Sequence, residues 1–168
     1  MTTTTLDIRP PTVLCFSAMF SPLKIFICLA LLALAGCVTS ITPPRGVRPH
    51  KATMETTAYC NCQQCCGWEY SGLLGLGPPV YSSGPSKGQP KVIGKTASGK
   101  QARRGTLAAD PSVPFGTVVH IPGYGYGRVD DRGGAIKGNK LDLWFPSHQA
   151  AREWGRKTLT VTVWPVSK

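Results

Sequence analysis

Carboxylates that could do chemistry are few in this chain, and half of them lie close together. The sequence has eight acidic side chains against 19 basic ones, a formal net charge of +11. Asp130, Asp131 and Asp142 fall within the stretch GRVDDRGGAIKGNKLDLW (residues 127–144), and Asp110 lies upstream. Two carboxyl groups whose surroundings push their pKa values apart form the pattern that acid–base chemistry on a sugar requires. The spacing therefore predicts a carboxylate site around a glycine-rich turn.

Asp142 interrupts the apolar run LDLWF at residues 141–145. Side chains of a strand alternate between its two faces, so Leu141, Leu143 and Phe145 would share the core face and Asp142 would lie opposite, beside Trp144. Partial burial there raises the pKa of a carboxyl group, and a carboxyl that keeps its proton near neutral pH can serve as a general acid. The alternative is a charge on an edge strand that only blocks aggregation.

Asp131 has a different setting, because Arg132, Gly133 and Gly134 follow it. The two glycines permit positive φ angles and a close approach of backbone to a ligand. We expect Arg132 and Arg128 to keep the Asp131 carboxylate ionised. The alternative is that this segment is only a hairpin turn, in which Asp and Gly are the commonest residues.

The rest of the sequence predicts a turn-rich β domain spanning residues 53–168. Gly and Pro number 19 and 15, and only 16% of residues are charged. Residues 147–155, SHQAAREWG, predict one short helix with Ser147 as its N-cap, and residues 71–91 predict a Gly/Pro/Ser loop. The short strand candidates, which together predict a small closed or nearly closed barrel, are residues 53–59, 105–110, 117–122, 126–131, 140–145 and 158–164.

The N-terminal region is predicted to be a targeting and anchoring segment. Residues 25–34 form an apolar run too short to span a bilayer, and LAGC at residues 34–37 resembles a bacterial lipobox, in which Cys37 becomes the acylated N-terminus. We expect a signal peptide at residues 1–36, with Met19 as an alternative start, and a Pro-rich tether at residues 37–52.

The N-terminal segment determines where we expect the protein to be located and which partners we expect it to bind. A lipid anchor would hold the domain on the periplasmic face of the outer membrane; the alternative is an ordinary secretory peptide and a secreted domain. Export together with strong positive charge favours anionic cell-wall polymer or lipid head groups as the partner over nucleic acid.

Four of the seven cysteines cluster in YCNCQQCCGW, residues 59–68: Cys60, Cys62, Cys65 and Cys66. Two disulfides are the favoured interpretation in an oxidising compartment, with the connectivity open. A zinc site is the second interpretation, although four thiolates within seven residues are cramped for one metal ion. Free thiols are the third. We therefore expect disulfides, with no metal and no cofactor.

Four ordered segments carry a resemblance to a known family: GKTASGK (94–100), RGTLAADPSVPFGTVVHIPGYG (104–125), DRGGAIKGNKLDLWFPSHQAAREWGR (131–156) and the closing LTVTVW. They resemble the 3D domain of bacterial cell-wall proteins, named for three aspartates. The resemblance implies a six-stranded double-psi β-barrel, mainly β with one short helix, related to the catalytic barrel of membrane-bound lytic transglycosylase A. It places the three aspartates at Asp110, Asp131 and Asp142.

The resemblance also implies a function, cleavage of the β-1,4 bond between N-acetylmuramic acid and N-acetylglucosamine with a 1,6-anhydro product. Asp142 would be the acid–base catalyst, Asp131 would raise its pKa, and Asp110 would orient the pair. Residues of the matched motifs that would hydrogen-bond the glycan are Lys137, Thr96 and Ser98. The alternative is a lipoprotein that binds peptidoglycan without cutting it, and a weaker one is a structural lipoprotein with an inherited barrel.

Overall fold

The computed structural model describes residues 40–166 of the chain. The predicted signal peptide and the predicted acylation site at Cys37 lie outside the described residues. Across residues 40–166, no helix is long and apolar enough to cross a bilayer.

The described part consists mainly of short strands, with two short helices and one 3₁₀ turn. In chain order the elements are β1 (His50–Tyr59), α1 (Gln63–Cys66), β2 (Trp68–Tyr70), a 3₁₀ turn (Leu73–Gly75), β3 (Pro79–Tyr81), β4 (Thr106–Ala109), β5 (Val118–Ile121), β6 (Gly125–Asp131), β7 (Lys140–Trp144), α2 (His148–Trp154) and β8 (Lys157–Trp164).

Six of these strands close into a barrel in the order β1-β7-β4-β6-β5-β8, and β8 returns to β1. The pairs β1–β7 and β4–β6 are parallel, whereas the other neighbours are antiparallel. Each of the six strands overlaps one of the six predicted segments. The predicted six-stranded barrel with a short helix after β7 is therefore confirmed.

Apolar residues that alternate along the strands fill the barrel. Leu141 and Leu143 of β7 are almost fully buried, as the strand pattern predicted, and they pack with Leu107, Val129 and Val161 from other strands. Helix α2 closes one end. Its N-cap Ser147 accepts a hydrogen bond from the Ala150 amide (3.1 Å), and its Trp154 packs against Tyr124 and Phe145. Burial of this apolar surface is the main stabilising contribution to the fold.

Two regions differ from the sequence-based prediction. β1 begins at His50 rather than Thr53, because the long strand β8 offers pairing partners as far as Val163. The predicted loop at residues 71–91 contains β3, which pairs antiparallel with β2 and buries Val80. The loop prediction failed there because a strand of three residues is too short to show a periodic pattern.

Gly127 provides a test of barrel packing. A Cβ atom at this position would lie 2.6 Å from Cγ of Leu107, which is fully buried and has no room to shift. We expect Gly127→Ala to lower the free energy of unfolding by about 1–3 kcal/mol. Denaturant unfolding measures this, with Gly134→Ala as the control because a Cβ there meets nothing within 4 Å. Equal stability of the two variants would contradict the packing described.

Candidate active site

A row of four residues crosses the face of the sheet opposite the barrel core. Thr57 of β1 is in register with Asp142 of β7, Asp142 with Ala108 of β4, and Ala108 with Asp131 of β6. Neighbouring strands lie about 4.8 Å apart, so the backbones at the two aspartates are about 10 Å apart. The small Ala108 side chain between them leaves this space open.

An irregularity in β4–β6 pairing turns Asp131 toward this row. Leu107 is in register with Val129, but the next residue, Ala108, is in register with Asp131 rather than Asp130. In a regular strand Val129 and Asp131 would share a face, and Val129 is fully buried in the core. The bulge therefore moves the Asp131 side chain from the core face to the side that carries Asp142.

The two aspartates open into one cleft of about 620 Å³. Its floor is the strand row, and its walls are the segments after β1, before β4 and after β6. The lining residues are Tyr59, Asn61, Cys65, Cys66, Tyr81, Pro90, Lys91, Val92, Gly94, Lys95, Thr96, Ala97, Ala102, Ala108, Asp131, Arg132, Gly133, Gly134 and Asp142. Lys91, Lys95 and Arg132 give these walls positive charge.

The environment of Asp142 favours its protonated form. Burial raises the pKa of this carboxyl and the nearby Asp131 charge raises it further, whereas a 2.7 Å hydrogen bond from the Thr57 hydroxyl opposes the rise. The predicted partial burial and raised pKa of Asp142 are thus present. A carboxyl in this state can donate a proton to a ligand in the cleft.

Asp131 faces three donors. The Tyr59 hydroxyl lies 2.8 Å from Oδ2, and the amides of Ala97 and Arg132 lie 2.9 and 2.8 Å from Oδ1. Burial, followed by the Asp131 charge, raises the pKa of Tyr59, so this hydroxyl remains a donor. Three fixed donors suit a carboxylate that accepts hydrogen bonds and holds one position.

The prediction that Arg128 and Arg132 pair with the Asp131 carboxylate is wrong. Arg128 Nε pairs instead with the buried Asp130 at 2.7 Å, and Lys100 Nζ also binds Asp130 at 2.7 Å. The Arg132 guanidinium donates to the Val113 carbonyl (2.7 Å) and lies over the Phe115 ring. The sequence could not separate these partners, because adjacent aspartates on a strand point to opposite sides and the bulge decides which side each one takes.

The structure does not bring Asp110 into the cleft. Its carboxylate accepts hydrogen bonds from the amides of Ser112 and Gly138, both at 2.8 Å. Hydrogen bonds from the side chain and amide of Ser112 and from the amide of Gly138 hold the pKa of Asp110 at about 2. Asp110 thereby ties the segment after β4 to the segment that carries Gly133 and Gly134 along the cleft.

Of the three other residues predicted to contact glycan, one lines the cleft and two do not. Thr96 lines the cleft, but its hydroxyl is engaged within its own turn with the Lys100 amide and carbonyl (3.1 and 3.0 Å). Ser98 contacts the Thr96 hydroxyl at 3.2 Å and is absent from the cleft lining, as is the exposed Lys137.

Sequence reasoning missed Thr57, Tyr59 and Asn61, which complete the cleft. Thr57 and Tyr59 are two residues apart, so one face of β1 presents both. Asn61 accepts a hydrogen bond from Trp144 Nε1 (2.9 Å) and ties the wall to the end of β7. Alternation along TTAY could have grouped Thr57 with Tyr59, but only the pairing of β1 with β7 connects them to Asp142.

The cysteines lie beside this wall, and all four are free. Sγ of Cys60 and Sγ of Cys65 are 3.8 Å apart, and Nδ1 of His148 lies 3.5 Å from Cys62 Sγ and 3.4 Å from Cys65 Sγ. Cys66 is separate: its thiol donates to the Cys60 carbonyl (3.1 Å), and burial raises its pKa to about 11. Sequence reasoning did not include His148, which is more than 80 residues away in the chain.

The fold and the cleft together define a small closed β-barrel with a carboxylate site on its wall. Residues 105–166 match the family model of the 3D domain. This match covers β4 to β8 and includes Asp110, Asp131 and Asp142, so the resemblance predicted from the sequence is confirmed.

Two relatives come from Bacillus subtilis (strain 168). YabE, a protein named for cell wall shaping, is 43% identical over 75 residues, which are 42% of this chain and 18% of YabE. The cell wall-binding protein YocH is 44% identical over 77 residues, which are 43% of this chain and 27% of YocH. The match thus spans about a fifth to a quarter of these relatives.

Among solved structures, the chain is similar to crystal structures of the Escherichia coli lytic transglycosylase MltA. One of them has 24% sequence identity and a TM-score of 0.36, over 44% of this chain and 28% of MltA. Another, of the variant MltA-D308A, has 22% identity and a TM-score of 0.37, over 48% of this chain and 30% of MltA.

The raised pKa of Asp142 predicts a dependence of stability on pH. The folded chain keeps this proton to a higher pH than the unfolded chain, so wild type loses stability as pH rises from about 3.8 through the folded pKa. Asp142→Asn carries no such charge, so its free energy of unfolding relative to wild type should increase with pH over that window.

Urea unfolding of both proteins from about pH 3 to about pH 8 measures this difference. Thr57→Val should extend the window to higher pH, because it removes the donor that stabilises the ionised carboxylate. The titration of Asp110 is common to all variants and cancels. A difference that does not change with pH would contradict the proposed burial of Asp142.

Proposed function

We propose that this protein acts on peptidoglycan as a lytic transglycosylase, with Asp142 as its acid–base catalyst. The observation that carries this proposal is the pair of unlike carboxyls in one cleft: Asp142 is partly buried with one hydroxyl donor, and Asp131 is held by three donors. Two carboxyl groups in such different settings are the arrangement that glycosidic bond cleavage uses.

The mechanism follows from the raised pKa of Asp142, which favours a carboxyl that carries a proton. Its O–H would donate a proton to the O4 leaving group of N-acetylglucosamine as the bond to C1 of N-acetylmuramic acid breaks. The resulting Asp142 carboxylate would then take the proton from the C6 hydroxyl as that oxygen bonds to C1. The proton returns to Asp142, no water is consumed, and the product carries a 1,6-anhydro ring.

Asp131 would supply negative charge beside the positively charged sugar of the transition state. Its three donors keep its oxygens fixed, and a fixed charge does not have to reorganise during the reaction. It would also help to keep the proton on Asp142, because its charge raises the pKa of that group. Tyr59 would act through Asp131 as a positioning residue.

The cleft walls suit a sugar polymer that carries carboxylates. Lys91, Lys95 and Arg132 line the cleft, and the lactyl and peptide groups of peptidoglycan are anionic at neutral pH. The volume of about 620 Å³ lies within the range of small-ligand sites. The names of YabE and YocH also support a cell-wall substrate.

A binding module is the second candidate, favoured by the name of the cell wall-binding protein YocH. The cleft and its cationic walls would serve a module that holds glycan without cleaving it. A pure binder has no need for a proton on Asp142, so the carboxyl variants separate the two functions.

We expect Asp142→Asn to lower the rate of anhydro-product formation by about 10²–10⁴-fold, roughly 3–5 kcal/mol of barrier, because Asn cannot transfer the proton. Asp131→Asn should lower it less, because it removes a charge and leaves the proton carrier. The assay is mass spectrometry of muropeptides released from sacculi. Glu153→Gln, at an exposed carboxyl of α2 outside the cleft, is the matched control, and thermal melting checks folding.

Two results would change the assignment. An active Asp142→Asn together with an inactive Asp131→Asn would make Asp131 the acid. A wild-type protein that binds sacculi but forms no anhydro product would favour the binding module.

We also propose that Cys37 anchors the protein on the periplasmic face of the outer membrane. The support is the sequence LAGC after an apolar run at residues 25–34. Radiolabelled palmitate should enter the wild-type chain and Cys28→Ala but not Cys37→Ala, and wild type should fractionate with outer membranes. Release of unlabelled wild type into the soluble fraction would favour the alternative, a secreted domain.

A further inference from the structure

A cluster of three sulfurs and one ring nitrogen lies at the cleft wall, to which its member Cys65 belongs. The ligand-type atoms of Cys60, Cys62, Cys65 and His148 all lie within 4.8 Å of one another, and Cys60 is buried. The hydrogen bonds described for the cleft carboxylates do not involve these side chains. The cluster therefore needs an explanation of its own.

Its dimensions match a tetrahedral zinc site. With Zn–S bonds of about 2.3 Å and a Zn–N bond of about 2.0–2.1 Å, a regular tetrahedron has S···S edges of about 3.8 Å and S···N edges of about 3.5 Å. The Cys60–Cys65 sulfur pair is 3.8 Å apart, and His148 Nδ1 lies 3.5 and 3.4 Å from the sulfurs of Cys62 and Cys65.

The fold brings these ligands together through one strand pair. β1 and β7 are parallel, with Tyr59 in register with Trp144, so both strands end on the same side of the barrel. The cysteine loop, residues 60–67 with the short helix α1, begins directly after β1, and His148 is the first residue of the helix that follows β7. Three ligands from one loop and one from a separate helix avoid the crowding that four thiolates of a single loop would cause.

Cys66 is outside the cluster. Its thiol donates to the Cys60 carbonyl at 3.1 Å, and the residue lines the cleft next to Cys65. Three of the four cysteines in residues 59–68 therefore lie together with His148, and Cys66 does not. Two disulfides would require all four thiols to pair, which this division does not favour.

We propose that Cys60, Cys62, Cys65 and His148 bind one Zn²⁺ ion. Four protein ligands complete the tetrahedron and leave no position for water or substrate, so this is a structural site and not a catalytic one. The ion joins the cysteine loop to helix α2. That loop carries Asn61 and Cys65 of the cleft wall, so zinc holds the wall in place. The proposal does not depend on the reaction at Asp142.

Metal analysis of the full chain tests the site. The protein is produced without a histidine tag, purified without chelator and analysed by inductively coupled plasma mass spectrometry. We expect about one zinc per chain, falling about tenfold or more in Cys62→Ser and in His148→Ala after the same dialysis against chelator. Cobalt substitution of wild type should give the intense visible bands of tetrahedral thiolate coordination.

Matched controls separate the site from adventitious binding. Cys66→Ser removes a neighbouring thiol outside the cluster, and His50→Ala removes an exposed imidazole at the start of β1. Both should keep about one zinc. Chelator should lower the melting temperature of wild type and of both controls, and should not lower it further in Cys62→Ser.

Three results would overturn the proposal. The first is a wild-type protein without zinc whose thiols are paired as disulfides in peptide mass maps. The second is zinc content that falls equally in Cys66→Ser and Cys62→Ser. The third is zinc that His148→Ala retains in full. Activity in the muropeptide assay is measured separately, so failure of the zinc site and failure of the proposed reaction are distinguishable.

Discussion

The parallel pairing of β1 with β7 is the constraint on which the cleft and the cysteine cluster both depend. Its register sets Thr57 beside Asp142 and places the ends of both strands together at Tyr59 and Trp144. The first contact supplies the only hydroxyl described on Asp142 within residues 40–166. Because both strands end together, the cysteine loop after β1 lies beside helix α2 after β7. A shift of one residue would turn the side chains of one strand to the other face, so Thr57 and Asp142 would no longer lie side by side.

The two cleft aspartates differ because they lie at different places along their strands. Asp142 lies in the middle of a strand between buried leucines, so burial dominates its pKa. Asp131 lies at the end of β6, where backbone amides of two loops are exposed and can donate to it. A strand centre thus favours a proton carrier, and a strand end favours a fixed acceptor. The bulge in β4–β6 pairing lets both face the same cleft.

The sequence was sufficient to predict the barrel and the position of Asp142 in the site. Alternation in LDLWF predicted that Leu141 and Leu143 face the core and that Asp142 lies on the opposite face, because these positions depend only on local periodicity. The partners of Asp131, the place of Asp110 and the contact of His148 with the cysteines were not predictable in this way. They depend on a bulge, on a loop contact and on a parallel strand pair, which join residues far apart in the chain and leave no periodic signal.

The cleft combines an apolar foundation with polar walls. Its floor is formed by strands whose opposite faces are buried in the barrel, so packing holds Ala108 and Asp142 in place. Its walls are held by single polar attachments: Asp110 to the Gly138 amide, Arg132 to the Val113 carbonyl and Asn61 to Trp144. Such contacts each contribute about 1 kcal/mol and are lost one at a time, whereas the barrel unfolds cooperatively. The shape of the cleft should therefore change under conditions that leave the barrel folded. A metal ion at the cysteine loop would be the strongest of these wall attachments, because it fixes four side chains at once.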